Sequence, residues 1–443
     1  MDRNRYADLL RVIALAGVVY GHWLLTDITD SRGQLGGLDA LGYISWGRWG
    51  TLIFQVMPVF FLVGGYVNAR SFTAHAGGDP SDPWARWGPW AGWVRHRAIR
   101  LLRPATVYVA VAVLVVAGAR LAGASLATLA AAGWLVAFQL WFLPVYLLLI
   151  GLTPAMLAAH RRWGLAVPAA MAAAAAAVDA AVLGLHLPVV GFANYLLVWG
   201  AMHQWGFAWH DGRLTSPRWR PYALAAGGAL VLAGLLAWSP FPVDMIGDGE
   251  PVTNTTPPSI ALLAFAAAQL GLVLAAEPAA SRLLARPGLW RLVTRLNDRA
   301  MTVYLWHMAP VIVIAVAFYP TGVMPQPAIG TAQWWVLRLA WFALLTAVFV
   351  PVVAAFTWAD RTREVRLPAG AWPDPRPGSA LVLLAGVLAV MVGLARLAIA
   401  GFAPAGQLPL AVLAAYAAGL AAVAAAPMLV RRGGVRVRSG TGP

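Results

Sequence analysis

"RYADLLRVIALAGVVYGHWLL", residues 5–25, has the length and composition of a membrane-spanning helix, yet it carries Arg11 and His22. A helix rises 1.5 Å per residue, so such a run covers about 30 Å of hydrocarbon. Placing a basic residue deep in that layer costs about 2.5–3.5 kcal/mol. Eleven residues turn a helix through about 1100°, or about 20° past three full turns. The two side chains therefore share one face, about 16 Å apart along the axis. Alone, Arg11 can snorkel to the boundary and pair with Asp8 one turn earlier. His22 alone can rest at the interface beside Trp23. Both on one face of one helix point to a lined passage.

The rest of the chain agrees with a membrane protein. Of 443 residues, 60% are apolar and 11% charged, against about 25% charged in soluble domains. The net charge is +15, and all 32 basic residues are arginines. In this apolar context the charge is read as contact with a cytoplasm and anionic lipid head groups, not with nucleic acid. The chain has no cysteine, which excludes disulfides, thiolate catalysis and cysteine metal sites. The eight histidines are scattered without paired ligand spacing, so no metal is expected.

Twelve apolar runs are long enough to cross, at roughly 7–26, 50–69, 104–122, 134–155, 165–185, 190–209, 221–239, 259–276, 301–319, 334–357, 380–400 and 409–428. The expected fold is all-α: a polytopic transmembrane bundle with a ten-helix core, 1–358, and two further helices. A Pro- and Arg-bearing linker, 359–379, precedes those helices and a basic tail, 380–443. The stretch 120–157 has room for a re-entrant piece. Arginine placement sets the orientation. With the N-terminus inside, 26 arginines fall in cytoplasmic segments and three, Arg32, Arg48 and Arg120, fall outside. Both termini are then cytoplasmic in a multi-pass plasma-membrane protein, and the first helix is an uncleaved anchor. The long outer loops are 27–49 and 240–258. The main inner loop, 70–103, ends in "WVRHRAIRLLRPATVY".

At this point the chain resembles the membrane acyltransferase 3 family. "ADLLRVIALAGVVYGHW" (7–23) is similar to its first-helix signature, with Arg11 and His22 separated by ten residues and Asp8 in the acidic position. "MPVFFLVGGYVNARSF" (57–72) resembles its second-helix motif, with Gly64 where Ser is common. "RHRAIRLLRP" (95–104) resembles its Arg-x-x-Arg motif, "QLWFLPVYLLL" (139–149) its Trp-Phe-Leu motif, and "MTVYLWHMAPV" (301–311) its late Tyr-Leu-x-His-x-Pro motif. Five motifs in family order cover about 1–360. The resemblance implies a ten-helix core that moves an acyl group from cytoplasmic acyl-CoA, with acetyl-CoA the expected donor. The implied acceptor is a hydroxyl of an extracytoplasmic glycan, glycolipid or small molecule.

The residues suit that chemistry. A thioester is already activated, so positioning and a base suffice. An imidazole titrates near the operating pH, which makes His22 the candidate general base or acyl carrier. Arg11 is the second catalytic candidate, either steadying charge on the donor or holding the helix through Asp8. Arg97 and Arg100, spaced i and i+3, with Arg103 a step further, suit bidentate contacts to CoA phosphates. His307, about 9 Å in from the cytoplasmic boundary, and His203 at similar depth are candidates for the donor tunnel. Asp179, at the depth of His22, is a candidate to orient the imidazole or bind substrate. Trp141 and Asn194, with Asn68 and Gln139, are candidate contacts to carbonyl or acceptor. The last two helices lack His and carboxylates and are expected to be dispensable for chemistry. The competing function is a transporter or flippase with the same charged lining but no acyl transfer. Against it stand the short link 210–220 and the lack of a repeat of the two halves.

Overall fold

Asn4 starts the bundle. Its side chain accepts from the backbone N–H groups of Tyr6 and Ala7, capping α1 (Arg5–Leu25). The structure is a computed structural model and describes residues 4–31, 34–44, 46–75, 87–247, 251–360 and 377–426. After α1 the chain forms an antiparallel hairpin, β1 (Thr26–Ser31) and β2 (Gln34–Asp39), with Thr26 opposite Asp39. Sequence reading expected only loop there. The hairpin is anchored at its base by Arg338, which donates to the Thr26 carbonyl at 3.0 Å and pairs with Asp27. The other helices are α2 (Gly47–Phe54), α3 (Met57–His75), α4 (Trp87–Leu121), α5 (Leu126–Leu135), α6 (Phe142–Trp163), α7 (Ala166–Leu185), α8 (Asn194–His210), α9 (Arg220–Trp238), α10 (Ile260–Ala275), α11 (Glu277–Leu283), α12 (Pro287–Asn297), α13 (Ala300–Trp306), α14 (Ala309–Phe318), α15 (Ala332–Phe356), α16 (Pro377–Ala400) and α17 (Leu410–Ala425).

Among the described residues each of the twelve expected apolar runs contains helix, with breaks inside 50–69, 134–155 and 301–319. Among the described residues nine helical segments are long and apolar enough to cross a membrane, or ten if α10 and α11, bent by 48°, form one span. The 17 residues of α8 and the 16 of α17 fall short of that length. The stretch 120–157 resolves into the ten-residue α5, a 3₁₀ turn at Phe138–Trp141, and α6. At about 15 Å, α5 cannot cross alone. The linker 361–376 and the tail 427–443 lie outside the described residues.

Much of the expected loop 70–103 is helical. α4 has 35 residues, about 52 Å of helix, and so outruns a bilayer. Its early turns repeat apolar residues at helical spacing: Trp90, Val94, Ala98, Leu102 and Ala105 are all buried. That stripe carries the helix through Pro104, which removes one backbone donor.

Glycine sets the tightest crossing. A Cβ on Gly65 of α3 would overlap the His203 carbonyl oxygen of α8, and one on Gly206 would overlap the Leu62 carbonyl. Small residues allow such backbone approach between membrane helices. Asn68 and His203 are thereby buried against each other at this crossing.

Candidate active site

A cavity of about 1030 Å³ opens at the arginine-rich end of the bundle. One face of α3 lines it, through Met57, Phe60, Gly64, Val67, Ser71 and Ala74, and one face of α1, through Asn4, Asp8, Arg11 and Leu15. These spacings of three and four residues are single helical faces. The mouth is cationic, since Arg11, Arg70, Arg97, Arg100 and Arg299 stand against Asp8, Asp298 and Asp360. The far end is apolar and aromatic, with Leu15, Phe60, Phe142 and Tyr304. Where Ser is common in the second-helix motif, Gly64 leaves room for Tyr146, whose ring would lie 2.6 Å from an added Cβ.

Arg97 is the most constrained cation. Its Nη2 donates to the Val67 carbonyl at 3.2 Å and to Asn68 Oδ1 and Ser71 Oγ, both at 2.9 Å. These partners are neutral, and the buried Nε has none. The guanidinium thus keeps its full charge and a spare donor at the cavity wall. Arg100 lines the same wall; Arg103 is exposed and does not. His203 stands behind the wall, with Nε2 3.4 Å from Asn68 Nδ2, and supports the amide that holds Arg97. At the cavity mouth, burial pushes the Asp360 carboxyl above its usual range, opposed by hydrogen bonds from Thr302 and by Arg299.

Arg11 both lines the cavity and holds the helix. It donates to Asn297 Oδ1 at 2.8 Å and lies 3.5 Å from Asp8, while Asn297 donates to Asp8 at 3.1 Å. Asn297 therefore sinks the end of α12 to the level of Arg11. This corrects the expected depth of His307: counted from a boundary at residue 300 it lay near the arginine-rich side, but its helix starts deeper.

His307 instead meets His22. The two rings are joined by His307 Nε2 and His22 Nδ1 at 3.1 Å. His307 Nδ1 lies 2.6 Å from the Tyr304 carbonyl, which can only accept. A proton therefore sits on His307 Nδ1, and in the neutral ring Nε2 is an acceptor. His22 then donates from Nδ1 and keeps the lone pair on Nε2. The break between α13 and α14, at His307 and Met308 ahead of Pro310, frees backbone carbonyls for these bonds. Trp23 Nε1 donates to the His307 carbonyl at 2.6 Å, Gln139 Nε2 to the Leu305 carbonyl at 3.1 Å, and the Tyr304 hydroxyl to the Gln139 carbonyl.

His22 itself is half-buried and lies about 10 Å beyond Leu15 along α1. It is outside the cavity lining, while Tyr304, whose carbonyl orients the pair, is on it. The ring of Phe138 covers His22 at 5.0 Å. Tyr304 entered the sequence reading only as the Tyr of the late motif, with no role assigned, and Phe138 did not enter it. The Pro310 that breaks the helix was the available signal for Tyr304, and nothing in the sequence marked Phe138.

Three sequence candidates lie elsewhere. Asp179 accepts from Asn194 Nδ2 at 2.7 Å and from the backbone N–H of Ile260 at 2.6 Å. Its Oδ1 is thus engaged by α8 and its Oδ2 by the start of α10, and the partner on His22 is His307. Asn194 is fully buried beside Asp179. Trp141 packs on Trp199 at 5.5 Å rather than on the cavity wall. Among the described residues no group of three or more His, Cys, Asp or Glu could hold a metal ion.

The bundle and this site define a multi-pass membrane protein with a cationic chamber that leads toward a hydrogen-bonded histidine pair. The chain belongs to the acyltransferase 3 family: the family model, an acyltransferase domain, matches residues 4–358. It is a membrane acyltransferase, and α16 and α17 lie beyond the matched domain. Searches of curated proteins and of solved structures find no match.

Proposed function

We propose that this acyltransferase uses acyl-CoA, with acetyl-CoA the expected donor, from the cytoplasm and acylates a hydroxyl of an extracytoplasmic glycan, glycolipid or small molecule. The arginine-rich mouth faces the cytoplasm in this reading, as the arginine distribution favours. The observation that carries the chemistry is the 3.1 Å contact between His22 and His307, which leaves His22 Nε2 as a bare base. CoA phosphates bind at Arg97 and Arg100, with Arg11 and Arg70 nearby. The pantetheine arm extends along the shared face of α1 and α3 toward Tyr304.

The acceptor oxygen attacks the thioester carbonyl while its proton passes to His22 Nε2. The tetrahedral intermediate collapses, the C–S bond breaks, and the proton moves from His22 to the departing thiolate. The products are the acyl ester and free CoA. His307 is a positioning residue here: it fixes the tautomer and orientation of the base, itself fixed by the Tyr304 carbonyl. Arg11 joins the donor site to α12 through Asn297.

Purified protein incubated with radiolabelled acetyl-CoA tests the reading. Consumption of the thioester above the background of a His22→Gln control is the expected result. A well-folded protein that binds or moves substrate without releasing free CoA thiol would overturn it in favour of a carrier.

A further inference from the structure

The matched domain ends at residue 358, yet α16 and the loop after it pack against α5 and the turn that carries Phe138, the ring beside His22. α17 is tied to α4 by Tyr416 OH with Thr106 Oγ1 at 2.9 Å, and by Arg95 Nε donating to the Val423 carbonyl at 3.1 Å. α16 packs on α6 and on the 3₁₀ turn Phe138–Trp141. Between them, Gly401–Gly406 grips α5. The Phe402 N–H donates to the Gly133 carbonyl at 3.1 Å. A Cβ on Gly133 would lie 2.9 Å from Ala403 N, and one on Gly406 2.6 Å from Leu126 Cβ. Gly401 has φ of 81° and lies so close that a Cβ would sit 2.9 Å from the Trp134 backbone. Backbone meets backbone at three positions, so the loop sets where α5 stands.

From α5 an aromatic column runs to the base. Trp134 stacks on Phe138 at 5.5 Å and 27°, and Phe138 covers His22 at 5.0 Å and 33°. Trp134 is 48% exposed. The column therefore leads from the surface at the hairpin end to the ring that carries the free Nε2. Phe402 is fully buried and edges onto Tyr108 at 6.2 Å. Tyr108 in turn bonds the Val136 carbonyl at 2.5 Å and receives Gln139 Nε2 at 3.0 Å. The segment between α5 and α6 is thus held from both ends.

We propose that the C-terminal helix pair is a positioning element of the transfer site: through the 401–406 loop it fixes α5, so that Trp134 and Phe138 cover His22 and form one wall of the acceptor approach. The role assigned to His22 rests on the acyl-transfer reading; the mechanical coupling does not. The effect on rate follows because a misplacement of about 1 Å at a reacting group can cost about 10²-fold.

Three full-length variants and a ring-reactive reagent test this. Gly401→Val forces a branched side chain into a left-handed backbone and against Trp134. Phe138→Ala removes the cover directly, and Phe138→Tyr keeps it. Protein in lipid vesicles is treated with diethyl pyrocarbonate, and modification of His22 is read by mass spectrometry of its peptide. Both disruptive variants should label His22 about fivefold faster, while Phe138→Tyr labels at the parent rate. Acetyl-CoA affinity by calorimetry should stay within about twofold and kcat for thioester loss should fall by about 10²-fold. If Gly401→Val does not fold, the Phe138 pair carries the test of the cover and Gly133→Val carries the test of the loop. Parent-rate labelling in a folded loop variant would overturn the proposal. A parent protein that never consumes acetyl-CoA would overturn the transferase reading while leaving the labelling result to stand on its own.

Discussion

His22 keeps a bare Nε2 only while His307 offers an acceptor to its Nδ1. The two rings act as one unit. His22→Gln preserves polarity but removes the base, so transfer should fall by about 10²–10⁴ with acyl-CoA affinity unchanged. His307→Phe keeps a ring of similar size but leaves the His22 tautomer unset; a comparable loss of kcat, without a change in donor affinity, is expected from the same assay. Arg97 is a different case. Its Nη2 alone is engaged by Val67, Asn68 and Ser71, so Lys, a point charge without a fork, cannot both hold that wall and meet a phosphate. Arg97→Lys should weaken acyl-CoA binding in calorimetry nearly as much as Arg97→Ala. A lysine variant of parent affinity would show that only charge is needed there.

At the level of elements, the crossing of α3 and α8 decides whether the cavity wall that carries Arg97 forms. Gly65 meets the backbone of His203, which cannot swing aside as a side chain could. Gly65→Ala should therefore destabilise the protein by about 1–3 kcal/mol, read as a lower unfolding temperature in detergent. Because Asn68 lies one turn further along α3, the same variant should also weaken donor binding. The break between α13 and α14 is the second decisive element. An unbroken helix would use its carbonyls internally, and His307 would lose the Tyr304 acceptor that sets its tautomer.

For the whole molecule, the polarity of the bundle makes the two ends chemically distinct. Arg97→Glu combined with Arg100→Glu reverses charge at one mouth and should weaken acyl-CoA binding far more than acceptor binding. Orientation is checked without background, because the chain has no cysteine. Gly42→Cys at the hairpin end and Gly288→Cys at the arginine-rich end both have open space around an added Cβ. On intact cells an impermeant maleimide should label the first and spare the second. The C-terminal pair, expected from its composition to be dispensable, is packed on the segment that carries Phe138. Removing residues beyond Gly378 should thus lower turnover while the donor end, built from α1, α3 and α4, still binds acyl-CoA.

Local signals that act through the solvent were legible in the sequence. Apolar length marked the helical spans, nine or ten of them among the described residues, and the eleven-residue step from Arg11 to His22 placed both on one face of α1. Each depends only on how a single segment meets lipid or water. Contacts between segments were a matter for the tertiary structure. It paired His22 with His307 rather than Asp179, because the sunken end of α12 set the depth of the next helix and Asp179 was taken by the start of α10. It set His203 behind Asn68, and Trp141 against Trp199, through glycine and aromatic packing between helices far apart in the chain. Hydropathy measures a residue's preference for its solvent; which partner it meets depends on the register and depth of helices packed against one another, and only the folded bundle fixes those.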